Sequence, residues 1–384
     1  MKILHVCLGN FFIDNYSYQE NLLSKHHKLA GNEVAVIASL FTFDENGKGA
    51  FLEKGGTYEN EYGIPVTRLE YSKRKLAKRF RYYEGTYSAV EKFAPEVIFI
   101  HGVQFMDIKK IVKYLKKHPE VTVYADNHAD FSNSATNFFS KNILHRIFWK
   151  HCAKKIEPYV KCFYGVLPAR VEFLRDIYGL PEEKIELLVM GADDEKVEEA
   201  QNEENIRELR KKYNVSDEDF LVMTGGKIDK WKTQTLLLMD AVNNIDNKNL
   251  KLIVFGSVVP ELKKEIEKRC SDRVQYIGWI KAEDSYKYFA ACNLAVFPGR
   301  HSVFWEQVCG QGKPIIVKKW RGTTHVDMDG NCIFLNEDSE EEIRTVISEL
   351  INDKEKYEEM LKCAEQKGKE TFLYSNISKR SISR

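Results

Sequence analysis

The sequence lacks several features that would have assigned it to a class at once. None of its apolar runs approaches the roughly 20 residues that a membrane-spanning helix requires. The opening Met1–His5 has the pattern of a strand rather than of a signal peptide. The eight cysteines are scattered, without a CxxC pair or the spacing of metal ligands. This usage favours buried, reduced thiols in a cytoplasmic protein over a disulfide framework or a zinc site.

Two further absences narrow the range of functions. No predicted strand is followed by GxGxxG, which disfavours a dinucleotide-dependent oxidoreductase. The formal net charge is only +1 and no nucleic-acid-binding module is recognisable, so nucleic acid is not an expected partner. The charge is unevenly distributed, because residues 1–190 contain 27 Lys and Arg against 22 Asp and Glu. A basic first half could meet a phosphate-bearing acceptor, although a solvated basic face would also account for it.

What the sequence does contain is an alternation of short apolar runs with longer helical patterns, which predicts parallel sheets with crossover helices. The length of 384 residues is too great for one ordinary core. In the first half the predicted strands are Lys2–Leu8, Glu33–Ser39, Val66–Tyr71, Val97–His101, Val121–Asp126, Cys162–Leu167 and Ile185–Met190. In the second half they are Leu221–Thr224, Leu250–Phe255, Val274–Ile280, Leu294–Phe297, Ile315–Lys318 and Cys332–Leu335. The predicted fold class is α/β, with two doubly wound Rossmann-like domains.

The domain boundary is predicted in Asp193–Asn205, an acidic stretch with few apolar residues. The first domain then covers residues 1–193 and the second covers residues 206–368. The remaining residues, 369–384, are predicted to form a C-terminal helix that packs on the body of the protein.

The most informative segment runs from Leu294 to Val317. Its pattern predicts a buried strand, a glycine-bearing loop, a short helix that carries Glu306, and a second buried strand. Ligands of open α/β sheets collect at the carboxyl edge of the strands. A carboxylate on that helix, below a glycine loop, is therefore in position to hold a sugar hydroxyl near a bound phosphate.

A second candidate loop, Gly225–Thr233, follows the first strand of the second domain and precedes a helix. Its glycines allow a tight backbone turn. Lys227 and Lys232 can converge on one pyrophosphate from the loop and from the helix start. A plain strand-to-helix turn with solvated lysines fits these residues equally well.

In the first domain, two strand ends carry polar candidates. Gly9 and Asn10 end the first strand, where their loop can meet a sugar or an acceptor, and a capped helix start explains them equally well. His128 lies in the polar run Asp126–Asp130 after a later strand. The alternative for His128 is a structural or surface histidine.

In their order along the chain, these segments and the helix-turn-strand Arg170–Asp193 resemble family 4 of the GT-B fold glycosyltransferases, which are retaining enzymes that use nucleotide sugars. The likeness spans residues 2 to about 375. It implies two Rossmann-like domains that face a cleft, with the acceptor on the N-terminal domain and the donor on the C-terminal domain. It also implies that the C-terminal helix crosses back to the N-terminal domain.

The resemblance assigns roles to individual residues. Lys227 and Lys232 match the basic residues that neutralise the leaving diphosphate, with Gly226 in the loop between strand and helix. Glu306 matches the second of two family glutamates, which binds the nucleotide ribose. His128 occupies the place of a histidine near the transferred sugar. Fixed cations replace a metal ion in this chemistry, so the resemblance implies neither a metal nor a cofactor.

The sequence departs from the family pattern at the first of the two glutamates. With seven residues between the two glutamates and no gap, the first one falls at Pro298, and neither Pro298 nor a neighbour is a carboxylate. Arg300, His301 and Ser302 are the candidates to fill the space. Backbone amides near His301–Val303 are still expected to approach the diphosphate.

The expected function is transfer of a sugar from a nucleotide-sugar donor to a glycan or glycolipid acceptor, in the synthesis of cell-surface polysaccharide or glycolipid. The missing carboxylate motivates a second hypothesis, a catalytically degenerate partner subunit that only binds the nucleotide sugar. A dinucleotide oxidoreductase is the third and is disfavoured.

Two stretches, Lys73–Tyr83 and Phe138–His151, combine basic and aromatic residues. On a regular helix, the second places Phe139, Ile143 and Ile147 at i, i+4 spacing. Such a face fits peripheral contact with anionic lipid at the inner side of a membrane. It equally fits a helix that faces the core and has a solvated edge.

Overall fold

The computed structural model describes residues 1–45 and 47–384 and divides into two compact units. Met1–Val189 and Ile377–Arg384 form the first unit, and Met190–Asn376 form the second. The C-terminal residues belong to the first unit, where the hydroxyl of Tyr124 donates to the carbonyls of Ile382 (3.1 Å) and Arg384 (2.7 Å).

The first unit contains a mainly parallel sheet with helices between its strands. As far as the chain is described, its strands are β1 Lys2–Cys7, β2 Glu33–Ser39, β3 Phe41–Phe43, β4 Gly49–Phe51, β5 Gly56–Glu59, β6 Pro65–Leu69, β7 Val97–His101, β8 Thr122–Asn127, β9 Val160–Gly165 and β10 Ile185–Leu187. The sheet order is β10-β9-β8-β7-β1-β2-β6-β5, while β3 and β4 form a separate hairpin. Its α-helices are α1 Gln19–Leu29, α2 Ala77–Phe80, α3 Thr86–Phe93, α4 Ile108–Leu115, α5 Lys150–Ile156 and α6 Pro168–Asp176.

The seven strands predicted in the first half all form, with ends shifted by a few residues. Apart from the edge strand β10, their apolar runs are mostly buried, as in parallel sheets that are covered on both faces. The antiparallel edge strand β5 was not predicted. Since β5 is exposed throughout, its sequence carries no apolar pattern.

The second unit has its own parallel sheet. Its strands are β11 Phe220–Gly225, β12 Leu250–Phe255, β13 Val274–Tyr276, β14 Leu294–Phe297, β15 Ile315–Lys318 and β16 Cys332–Leu335. They lie in the order β13-β12-β11-β14-β15-β16. The α-helices that begin in this unit are α7 Asp194–Ala200, α8 Glu203–Lys212, α9 Gln234–Asn244, α10 Pro260–Glu267, α11 Ser285–Ala291, α12 Phe304–Gly310, α13 Glu340–Asn352, α14 Lys354–Cys363, α15 Lys369–Phe372 and α16 Tyr374–Ser381.

The predicted hinge, Asp193–Asn205, is helical rather than irregular. It forms α7 and the first turn of α8 within the second unit. The side chain of Asn202 accepts hydrogen bonds from the backbone amides of Glu204 and Asn205 and so caps α8. The acidic residues that suggested a linker are concentrated in the first turns of these helices, where a negative charge is favourable.

Each sheet has one point at which the strand order reverses, and ligands of open α/β sheets bind at such points. In the first unit this point lies between β1 and β7, and in the second it lies between β11 and β14. The loops that follow these four strands therefore define where a site is expected in each unit.

The basic-aromatic stretch near residue 140 differs from the prediction. Ser140–Trp149 is a π-helix, which continues into α5. Because a π-helix has wider turns than an α-helix, the predicted i, i+4 face does not form. His145 and Trp149 are the buried side chains, and Phe139 and Ile147 are exposed.

Within the described ranges, we find no helix that combines the length and the apolar character needed to span a bilayer.

Candidate functional site

The loop after β11, residues 225–233, is hereafter called the lysine loop. Gly226 has φ of +120°, a conformation that side chains rarely adopt. Asp229 holds the rest of the turn, since its side chain accepts from the amide of Trp231 (2.9 Å) and its carbonyl accepts from the amide of Lys232 (2.9 Å). The loop is thus a hydrogen-bonded turn that leads into α9.

The two lysines of this loop have different environments. The Lys227 side chain is 66% exposed, and its ammonium lies 3.7 Å from the Asp229 carboxylate. Lys232 folds back over Gly226, because a Cβ built on Gly226 would lie 3.8 Å from its Nζ. Burial lowers the pKa of Lys232, against a smaller opposite effect of Asp229. Lys232 is therefore a held cation above the glycine, whereas Lys227 is a solvated one.

The second predicted loop, residues 298–303, follows β14 and is called the arginine loop. Because β14 pairs directly with β11, the two loops are neighbours. The Arg300 guanidinium lies 4.4 Å from the ring centre of Trp231, and a Cβ built on Gly299 would lie 3.6 Å from Cα of Lys232. The structure thus brings Gly226, Lys232 and Arg300 together at the reversal point of the second sheet.

The remaining residues of the arginine loop lead into α12. The Ser302 carbonyl accepts from the amide of Trp305 (2.9 Å), and its hydroxyl lies 3.5 Å from the amide of Phe304. Val303 is exposed. Ser302 therefore supports the start of α12, and Val303 is open to solvent.

Glu306 was predicted to bind ribose, but its carboxylate is completely buried on α12. Its Oε1 accepts hydrogen bonds from Nε2 of His301 and Nε2 of His325, both at 2.8 Å. Burial raises the pKa of Glu306, but the two histidines outweigh burial and hold that pKa well below its usual range. His301 is the partly exposed member of this triad, so a ligand meets His301 first.

The triad of His301, Glu306 and His325 also has the composition of a metal site, with its ligand atoms within 4.8 Å of one another. A tetrahedral ion with bonds of about 2.0–2.1 Å needs ligand atoms about 3.3 Å apart. The observed N–O distances of 2.8 Å are those of hydrogen bonds. We therefore describe the triad as a hydrogen-bonded anchor. His325 was not predicted, because only its burial beside Glu306 distinguishes it.

In the first unit, Gly9 lies at the reversal point. A Cβ on Gly9 would lie 1.9 Å from the carbonyl oxygen of Gly102, so only glycine allows the loops after β1 and β7 to approach this closely. The side chain of Asn10 donates to Oε1 of Glu20 (2.6 Å). Asn10 is thus engaged by α1 and is not a free polar group.

His128 follows β8, and 20% of its side chain is exposed. Its Nε2 lies 3.5 Å from the Asp126 carboxylate and 4.0 Å from that of Glu20, and it forms no hydrogen bond within the described residues. Burial lowers the pKa of His128, but Asp126 and Glu20 outweigh burial, so the net shift is upward. His128 thus connects the surface with two buried carboxylates.

Behind His128 lies a row of buried imidazoles that we call the histidine row. Asp126 Oδ2 lies 2.7 Å from His101 Nδ1, His101 Nε2 lies 2.9 Å from His5 Nδ1, and His5 Nε2 lies 3.0 Å from His27 Nδ1. Sequence reasoning missed His5 and His27. The available signal was a histidine inside an otherwise apolar strand, at positions 5 and 101.

Comparison with known proteins gives one family match, in the second half of the chain. Residues 205–367 match the family model described as glycosyl transferases group 1. A search of curated proteins returned no significant match. Solved structures, in contrast, match along the entire chain.

One such structure is the Anabaena protein HepE in complex with UDP (19% identity, 100% of this chain and 99% of that chain covered, TM-score 0.66). Another is sucrose-phosphate synthase from Thermosynechococcus elongatus (16% identity, 99% and 96% covered, TM-score 0.64). A third is UDP-GlcNAc 2-epimerase from Neisseria meningitidis bound to UDP-GlcNAc (12% identity, 100% and 99% covered, TM-score 0.64). The chain has the two Rossmann-like domains of the GT-B glycosyltransferases, and residues 205–367 match the glycosyl transferases group 1 family.

Proposed function

We propose that this protein is a retaining, family 4 glycosyltransferase that moves a sugar from a nucleotide-sugar donor to a glycan or glycolipid acceptor. The observation that carries the proposal is Lys232, which is folded over Gly226 beside the arginine loop. This cation stands at the reversal point of the sheet that matches the group 1 family. A diphosphate bound there would be met by a fixed positive charge.

The chemistry follows from the charges. As the glycosidic bond of the donor loosens, negative charge develops on the leaving diphosphate. Preorganised cations and amides stabilise such charge strongly where water is excluded. We assign this role to Lys232, with Lys227, Arg300 and the amide of Val303 as further donors. Because these groups supply the positive charge, the proposal includes neither a metal nor a cofactor.

We keep the proposed role of Glu306 at the ribose, although its burial restricts how a ribose can reach the carboxylate. Its carboxylate lies behind His301. Its second oxygen, Oε2, is buried and has no hydrogen-bond partner among the described residues. Direct contact with a ribose therefore requires the side chains around the carboxylate to move, or else His301 makes the contact while Glu306 orients it. His128 keeps the role that the family resemblance implies, at the transferred sugar.

A surface of the first unit supports peripheral contact with an anionic membrane, which would suit a glycolipid acceptor. Phe138, Phe139 and Ile147 are exposed there. The Arg79 guanidinium lies 5.2 Å from the ring centre of Phe139, so the two basic-aromatic stretches of the sequence adjoin. Exposed rings beside basic side chains are the pattern of an interfacial surface.

The function is tested by incubating the purified protein with a panel of nucleotide sugars, with and without simple glycan acceptors. We expect release of the nucleoside diphosphate from at least one donor, by hydrolysis or transfer. Binding of nucleotide sugars without any turnover would favour the partner-subunit hypothesis. Conversion of the sugar without release of the diphosphate would indicate an epimerase, an activity named for one protein of similar fold.

A further inference from the structure

The histidine row has a fixed acceptor at each end. At one end, Nε2 of His27 lies 3.0 Å from the Ser378 carbonyl and 3.1 Å from the Ser381 hydroxyl. That hydroxyl donates its own proton to the Ser378 carbonyl (2.7 Å), so both groups accept from His27. At the other end, the Asp126 carboxyl faces Nδ1 of His101 and also accepts from the amide of Gly102 (3.1 Å).

The number of protons in the row follows from these contacts. The row contains four hydrogen bonds: His27 to Ser378, His27 to His5, His5 to His101, and His101 to Asp126. Each bond needs one proton between its two heavy atoms. Three neutral imidazoles supply three protons, since each carries one. The row therefore holds one proton more than three neutral rings provide.

The position of this additional proton is set by basicity and burial. An imidazole is more basic than a carboxylate, so the proton resides on a ring. Burial lowers the pKa of His5 well below its usual value and that of His27 to about 4, with His26 and the neighbouring rings adding to the effect. Burial raises the pKa of Asp126, but His101 and His128 outweigh burial and lower it. Of the three rings, His101 is the one that faces a carboxylate, at 2.7 Å, so the structure assigns the charges to His101 and Asp126.

We propose that the histidine row is a proton-bearing wire, and that it makes Asp126 a positioning residue for His128. The additional proton on His101 keeps Asp126 ionised within the core. The same Oδ2 atom faces Nε2 of His128 at 3.5 Å and Nδ1 of His101 at 2.7 Å. Asp126 thereby holds the inner nitrogen of His128, with Glu20 as the second carboxylate. The consequence for sugar transfer rests on the proposed function, whereas the wire itself does not.

The wire is testable because removing one ring changes the number of protons that the hydrogen bonds of the row require. In His27→Phe the row retains two hydrogen bonds, His5 to His101 and His101 to Asp126, and two neutral rings supply both protons. His101 then no longer needs a second proton. Asp126 loses its positive partner in the core, so it attracts a proton on His128 more strongly.

The experiment is NMR of the full chain with 15N-labelled histidine. In the wild type we expect both ring nitrogens of His101 to be protonated at neutral pH, and one nitrogen of His5 and of His27 to be unprotonated. In His27→Phe we expect His101 to become neutral and the titration of His128 to move to higher pH. His145→Asn is the matched control, because His145 is also buried but bonds to Ser134 and Tyr178 outside the row.

Two results would overturn the proposal. Three neutral rings in the wild type would show that no ring carries the additional proton, whether or not the variant folds. An unchanged titration of His128 in folded His27→Phe would refute the positioning role of Asp126. Neither result depends on sugar transfer, so a wire confirmed by NMR in a protein that turns over no donor would refute the proposed function alone.

Discussion

Lys227 and Lys232 lie five residues apart, yet only Lys232 is held against the glycine turn. The difference is one of burial, since Lys232 is partly buried beside Gly226 whereas the ammonium of Lys227 is exposed and pairs with Asp229. A held cation loses little conformational freedom when a phosphate binds, whereas a solvated lysine has to be ordered. At the residue scale, the proposed donor site therefore depends more on Lys232 than on Lys227.

The sequence could indicate Lys232, Arg300 and Glu306, because each follows a strand end or lies on the helix after one. It could not indicate that Glu306 is enclosed. His325 lies 19 residues farther along the chain and reaches the carboxylate only through tertiary packing. Likewise, His27 and His5 lie on α1 and β1, and no local pattern shows that their rings meet.

His145 supplies a pH prediction at this scale. Burial lowers its pKa to about 4 from 6.5, with Arg81 contributing. The unfolded state therefore binds a proton below pH 6.5 that the folded state does not bind until pH 4. The contribution of His145 to the free energy of unfolding is fully present above pH 6.5. It falls by on the order of 3 kcal/mol as the pH is lowered toward 4.

Urea titrations at pH 7.5 and 5 measure this effect as a difference in the free energy of unfolding. We expect His145→Asn to lose less stability between the two values than the wild type. His118→Asn is the control, since His118 lies at the surface beside Glu120. An equal loss in His145→Asn and His118→Asn would contradict the assignment.

At the scale of elements, buried strands were predictable and exposed or irregular ones were not. The inner strands of both sheets carry apolar runs because both faces of each sheet are covered there, whereas the edge strands β5 and β10 are largely exposed. The π-helix at Ser140–Trp149 was unpredictable, since a sequence pattern read at 3.6 residues per turn assumes the α-helical spacing. The wider turns leave Phe139 and Ile147 at the surface.

The exposed rings beside this π-helix are the basis of a prediction about membrane binding. We expect the wild type to sediment with vesicles that contain anionic phosphatidylglycerol and not with phosphatidylcholine vesicles, because apolar rings and basic side chains act together. The double variant Phe138→Ser, Phe139→Ser should lose at least half of the bound fraction. Trp279→Ser removes an equally exposed ring from the second unit and should have no effect. Equal binding by all three proteins would contradict this role.

At the scale of the whole molecule, the fold alone does not determine the reaction. Proteins of similar fold include a sucrose-phosphate synthase and an epimerase. The order of weak motifs along the chain nevertheless indicated the GT-B fold. The motifs at Gly9, in the lysine loop and in the arginine loop follow strands that the topology brings to a reversal point. We propose that the choice of donor, acceptor and linkage depends on side chains such as His301, in the loop where the first family glutamate is missing.

The central claim is that a donor diphosphate is stabilised by the held cation Lys232, and one measurement tests it most directly. The rate of nucleoside diphosphate release from the preferred nucleotide sugar is compared between the wild type, Lys232→Met and Lys248→Met. Lys248 is an exposed lysine immediately before β12, at the opposite edge of the same sheet. We predict at least a tenfold loss in kcat/KM, about 1.4 kcal/mol of transition-state stabilisation, for Lys232→Met and no change for Lys248→Met. Wild-type turnover in a folded Lys232→Met protein would contradict the account.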